Sequence, residues 1–142
     1  MTNYTDPTAA YIARLVRRHG RAVMAVGTGE CAVPGCDGGS REDPFAYTVG
    51  LHAHRLPELL VYGCDADAAL AVLNDLAASI IDGDPVRSGM SVLAGGRCWI
   101  PVPAMPRERA ELRFANLLAG RSRRQPVAAL RLDPTWTTVG TS

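Results

Sequence analysis

A chain of 142 residues, 47% hydrophobic and 20% charged, has the size and composition of one folded domain, which excludes a disordered polymer. Its formal net charge of +1 supplies no field to draw it onto nucleic acid or a membrane surface, and no apolar run approaches the roughly 20 residues that span a bilayer. The partner this leaves is a small molecule, with neither nucleic acid nor membrane expected.

All 15 basic residues are arginine, a bias too general to mark any one of them as an anion ligand. Asp6 precedes the arginines at 14, 17 and 18, the reverse of a secretory signal, which opens positive and then turns apolar. A cytoplasmic location follows as the expectation. Cys31, Cys36, Cys64 and Cys98 are then expected as thiols rather than as a disulfide framework.

In chain order, residues 7–19 carry Ala10, Ile12, Leu15 and Val16 at helical spacing, with Pro7 at the start, Gly20 beyond the end and Asp6 as N-cap. AVMAVG (22–27) is a short apolar run bounded by glycine and reads as a buried strand. TGECAVPGCDGGSREDP (28–44) is too rich in Gly and Pro for regular structure and is read as a long irregular loop. A strand over 45–50 places Phe45, Tyr47 and Val49 on one face and Ala46, Thr48 and Gly50 on the other. A further strand covers 59–63, and a helix capped by Asp65 or Asp67 runs to Gly83.

After a turn at 84–89, residues 90–104 suggest two short strands joined by Gly95-Gly96. Pro101 and Pro103 exclude a central strand, so this one should run along an edge or bend away. A third helix is expected over 106–119, with Leu112, Ala115 and Leu118 facing the core. The last strand is 126–132, followed by a turn at DPTW and a loose tail over 134–142. The whole is an α+β fold: a single globular domain over 1–142, with a curved, largely antiparallel sheet of about six strands packed with three helices.

His19-Gly20 before a strand, then PFAYTVGL (44–51), PEL (57–59), LND (73–75) and QPVAALRLDP (125–134) together resemble the DUF4262 family of small, mainly bacterial proteins of unknown function. FAYTVGL followed closely by PEL is the most specific part. In this chain Leu56 stands before Pro57, where the family commonly has histidine. The resemblance implies a single-domain α/β protein and little about activity.

Four groups carry the candidate chemistry. Thr48 and Gly50 give a small-residue face on which a flat ligand can settle, with Tyr47 as donor and Glu58 as general base on its rim. The competing reading is plain core packing. His52 and His54, two apart, would share one side of a strand and supply further bases or a pair of metal ligands. Cys31 and Cys36 in CAVPGC permit zinc or a reversible disulfide, so a metal- or thiol-dependent regulatory or interaction module is the alternative function. No cofactor is expected under the first reading, and zinc is the one held open under the second. Arg124, in GRSRRQ (120–125), and Trp99, beside the expected edge strand, complete the ligand-binding candidates; the same edge would serve a homodimer. No phosphate-cradling glycine loop and no serine nucleophile elbow occurs. The favoured function is a small-molecule enzyme or ligand-binding protein, using acid–base chemistry if it is catalytic.

Overall fold

The computed structural model describes residues 6–28, 40–84 and 86–135. The order of elements is α1 (Pro7–His19), β1 (Ala22–Thr28), β2 (Ser40–Val49), a 3-10 helix (Leu51–His54), β3 (Glu58–Tyr62), α2 (Ala66–Ile81), β4 (Val92–Ala94), β5 (Arg97–Pro103), α3 (Pro106–Ala110), α4 (Arg113–Leu118) and β6 (Ala129–Pro134). The strands form one open mixed sheet in the order β1-β2-β3-β6-β5-β4. Only the β3–β6 pair is parallel, and the other four are antiparallel. This is the α+β class expected, with four α-helices in place of three.

Local chemistry sets the helix ends. The Asp6 carboxylate accepts the Thr8 amide of α1, and the Asp65 carboxylate accepts the Ala68 amide of α2, each taking a donor that the first turn leaves unpaired. Gly20 closes α1 at φ 85°, a left-handed conformation that glycine adopts without steric cost.

Alternation along β2 sorts side chains between two cores. Phe45, Tyr47 and Val49 pack with Ile12 of α1, Leu60, Leu112 and Phe114. Ala46 packs with Leu59 and Val61, with Leu73 and Leu76 of α2, and with Trp99. Helices thus cover both faces of the sheet, and β3, the apolar run ELLVY at its centre, is buried on both sides.

Four expectations are corrected. First, β2 begins at Ser40, so the end of the segment read as irregular is strand. Its pairing with β1 jumps from Val26–Phe45 to Thr28–Ser40, and this irregularity accommodates Pro44, which has no amide to give to a ladder. Second, β5 lies between β4 and β6 rather than at an edge. Its prolines are tolerated because β4 pairs only with residues 97–99. The Cys98 carbonyl and the Ala104 amide turn toward β6, whereas the Pro101 carbonyl faces the other way and accepts Gly89. The missing amides of Pro101 and Pro103 therefore fall on the side where β4 has already ended.

Third, the helix expected over 106–119 is broken at Glu111 and Leu112. Leu112 leaves helical geometry at ψ 65° and is completely buried. The Arg109 carbonyl accepts the Leu112 amide and Asn116 Nδ2, and the Ala110 carbonyl is taken by Arg123 Nη1. Fourth, the last strand is shifted to 129–134, so Asp133 and Pro134 extend β6 instead of opening a turn.

Candidate functional site

Glu58 is the centre of the most polar buried structure among the described residues. It is fully buried, as is Thr48. The β2 strand ends at Val49, Gly50 turns at φ 109°, and the 3-10 helix starts without a capping side chain of its own. Its first amides must find an acceptor, and Glu58 supplies it from the start of the neighbouring strand. Oε1 accepts Thr48 Oγ1 at 2.7 Å and the Leu51 amide at 3.2 Å. Oε2 accepts the Gly50 amide at 3.1 Å and the His52 amide at 3.2 Å. An anion among the first N–H groups of a helical turn is the favourable arrangement of charge and dipole.

The fifth partner is the His52 ring, whose Nδ1 lies 3.3 Å from Oε2. A carboxylate accepting four other hydrogen bonds has no proton to give, so this contact calls for a proton on Nδ1 and leaves the Nε2 lone pair free. The His52 side chain is 30% exposed, against 0% for Glu58. The pair is thus a buried carboxylate orienting an imidazole that reaches solvent.

The turn is also locked sterically. A Cβ on Gly50 would lie 2.8 Å from Val16 Cγ1 and 3.3 Å from the Gly20 carbonyl. That same carbonyl is 3.4 Å from His54 Nε2. Gly20, the YTVG turn and Glu58, far apart in sequence, meet in one place.

The expected site residues are therefore only partly brought together. Thr48, Gly50, Glu58 and His52 converge, with His54 at the exposed rim. Glu58 is surrounded by donors, and its carboxylate faces the turn and the His52 ring rather than open space. The small-residue face of β2 has no open space beside it: Thr48 is enclosed, Gly50 is pressed against α1, and Ala46 belongs to the core under α2. His52 and His54 occupy a 3-10 helix and not a strand, which removes the geometric reason for their sharing one side.

Tyr47 is buried in the other core, and its hydroxyl oxygen accepts the Phe114 amide at 3.1 Å. Burial drives its phenol pKa well above the ordinary range. Its place is therefore the start of α4, where the N-cap position is Leu112 and offers no side-chain acceptor. Trp99 is likewise in the core, its Nε1 donating to the Ala94 carbonyl and its ring covered by Arg97. Arg124 is exposed beyond α4. Cys31 and Cys36 lie outside the described residues, and among those described no group of three or more His, Cys, Asp or Glu is placed to hold a metal ion.

Sequence reasoning missed two polar centres. Asn116 joins the Arg109 carbonyl to the Val127 amide, and a lone Asn inside an apolar helix carries no signal of that role. Arg131 is held by Asp133 at 2.8 Å and Glu108 at 3.1 Å. Those bonds, the one to Asp133 foremost, raise its guanidinium pKa still further. The spacing from Met105 to Glu108 was the available cue for part of this, since Glu108 also accepts the Met105 amide at the start of α3.

Fold and site together define a single-domain α+β protein with a buried glutamate clasping a glycine turn and orienting a surface histidine. The chain belongs to the family described as a domain of unknown function, DUF4262, whose match covers residues 15–132. Comparison with curated proteins and with solved structures found no match. No helix among the described residues is long and apolar enough to cross a membrane.

Proposed function

We propose that the protein is an enzyme acting on a small molecule by proton transfer, with His52 as general base and Glu58 as the group that orients it. The observation that carries this reading is the Nδ1–Oε2 contact of 3.3 Å between a partly exposed ring and a buried carboxylate that already accepts four other hydrogen bonds. A base held in one tautomer by a fixed acceptor, its second nitrogen presented outward, is the arrangement general-base catalysis requires. Thr48 and the amides of Gly50, Leu51 and His52 position the carboxylate. His54 stands close enough along the chain to contact a bound substrate. The reading places the protein in the cytoplasm of a bacterium, supported by the family resemblance and by the free thiols of Cys64 and Cys98.

The test is a turnover screen over small esters, amides, lactones and phosphoesters with the wild type and His52→Gln. A turnover that His52→Gln abolishes while the fold is retained supports the reading. A turnover unaffected by that substitution refutes it. The alternative of a metal- or thiol-dependent module at Cys31 and Cys36 has no specific observation in its favour.

A further inference from the structure

A second place in the molecule is built to hold charge at two separated points. The α2 surface carries Asn74 and Ala78 in one row and Asp75 and Ser79 in the next, each pair one helical turn apart. These rows form the floor of an open cleft of about 500 Å³. Arg21, at the start of the chain's first strand, makes one wall, and the β4–β5 turn at Gly95-Gly96 makes the other.

Each wall is tied to the floor by one hydrogen bond. Arg21 Nε donates to Asn74 Oδ1 at 3.2 Å, and the Gly95 amide donates to Asp75 Oδ2 at 2.8 Å. The turn sits hard against the helix, since a Cβ on Gly95 would lie 2.7 Å from Val72 Cγ2. The two ties leave complementary groups on residues that line one space. Arg21 keeps its terminal nitrogens and Asn74 its amide nitrogen, all donors. Asp75 keeps its second carboxylate oxygen, an acceptor. Arg21 and Asp75 line the same cleft and yet form no ion pair with each other. Leu93, 72% exposed, adds an apolar lip.

We infer that this cleft binds a small zwitterion, a molecule with a carboxylate and an ammonium group joined by a short aliphatic chain. The carboxylate meets the fork of Arg21, which pairs with planar anions in bidentate fashion. The ammonium meets Asp75, and the methylenes lie over Ala78 beside Leu93. The inference stands apart from the role proposed for His52.

The experiment is a titration of the full-length, isotope-labelled protein, followed at the Ser79, Gly95 and Gly96 amides. The probes are glycine, β-alanine, 4-aminobutyrate and 6-aminohexanoate, with butyrate and butylamine as half-molecules. At least one amino acid should saturate these shifts with an affinity about tenfold or more above both half-molecules, the advantage of one additional paired contact. Arg21→Gln and Asp75→Asn should each remove that advantage; Asn at 75 retains an oxygen for the Gly95 amide, and unchanged distant amide shifts verify folding. Absence of saturable shifts with all four amino acids overturns the inference. So do half-molecules that bind as well as the intact ones, or an advantage that survives both substitutions.

Discussion

The Thr48 hydroxyl donates to Glu58 Oε1 at 2.7 Å and accepts the Leu59 amide at 2.9 Å, so one oxygen fixes both the carboxylate and the strand that carries it. Replacing Thr48 by Val keeps the shape but leaves the Leu59 amide and a carboxylate lone pair unsatisfied in the interior. The cost should be about 2 kcal/mol, read by urea unfolding, while Thr48→Ser, which keeps the hydroxyl, should lose less than half as much.

Glu58→Gln places an amide NH₂ among groups that are all donors. With a buried acceptor lost and a donor facing donors, destabilisation should reach about 3 kcal/mol, which for a chain of this size lowers Tm by roughly 10 °C. A thermal melt checks it, and a shift within error of zero would show that the clasp does not hold the turn.

Gly50→Ala should be among the most damaging single-methyl additions in the protein. It combines φ 109° with a Cβ 2.8 Å from Val16 and 3.3 Å from a backbone carbonyl. The expected loss is about 2 kcal/mol or more. Pairing it with Val16→Ala should restore only the part due to side-chain crowding, because the Gly20 carbonyl and the left-handed backbone remain.

Tyr47→Phe removes the acceptor of the Phe114 amide and should cost about 1–2 kcal/mol. It also predicts a pH effect. The folded-state phenol pKa is raised above its unfolded value, so this contribution is complete below the ordinary phenol pKa near 10 and is lost as pH rises beyond it. Wild-type stability should therefore fall more steeply than that of Tyr47→Phe above about pH 10, as measured by unfolding at a series of alkaline pH values. The buried Cys64 thiol, also raised by burial, acts in the same direction in both proteins and cancels from the comparison.

Much of the fold was legible because it rests on local chemistry. Asp6 and Asp65 cap helices as their side chains allow, Gly95-Gly96 turns a hairpin, and alternation through PFAYTV separates the two cores. What the sequence concealed depends on contacts distant along the chain. The break at Leu112 is sustained by a tyrosine 67 residues away in sequence from Phe114 and by Asn116, and neither signals its partner. The prolines of β5 were read as excluding a central strand, and the structure overturns that: β5 lies between β4 and β6, and only the shortness of β4 shows how an interior strand accommodates them.

The site was visible as a set of residues, but not the packing around them. Tyr47, Thr48, Gly50 and Glu58 suggested a rim around open space, because alternation gives the side of a strand on which a residue lies but not what occupies that side. The structure fills the space with Val16 and the Gly20 carbonyl and turns Glu58 toward amides.

The central claim is that Glu58 holds His52 with its proton on Nδ1 and its Nε2 lone pair outward. A long-range ¹H–¹⁵N correlation spectrum of the imidazole rings, recorded at mildly alkaline pH, reads that tautomer directly. The account predicts an Nδ1–H tautomer at His52 in the wild type, shifted toward Nε2–H in Glu58→Gln. An Nε2–H tautomer in the wild type, or a spectrum unchanged by Glu58→Gln, would contradict it.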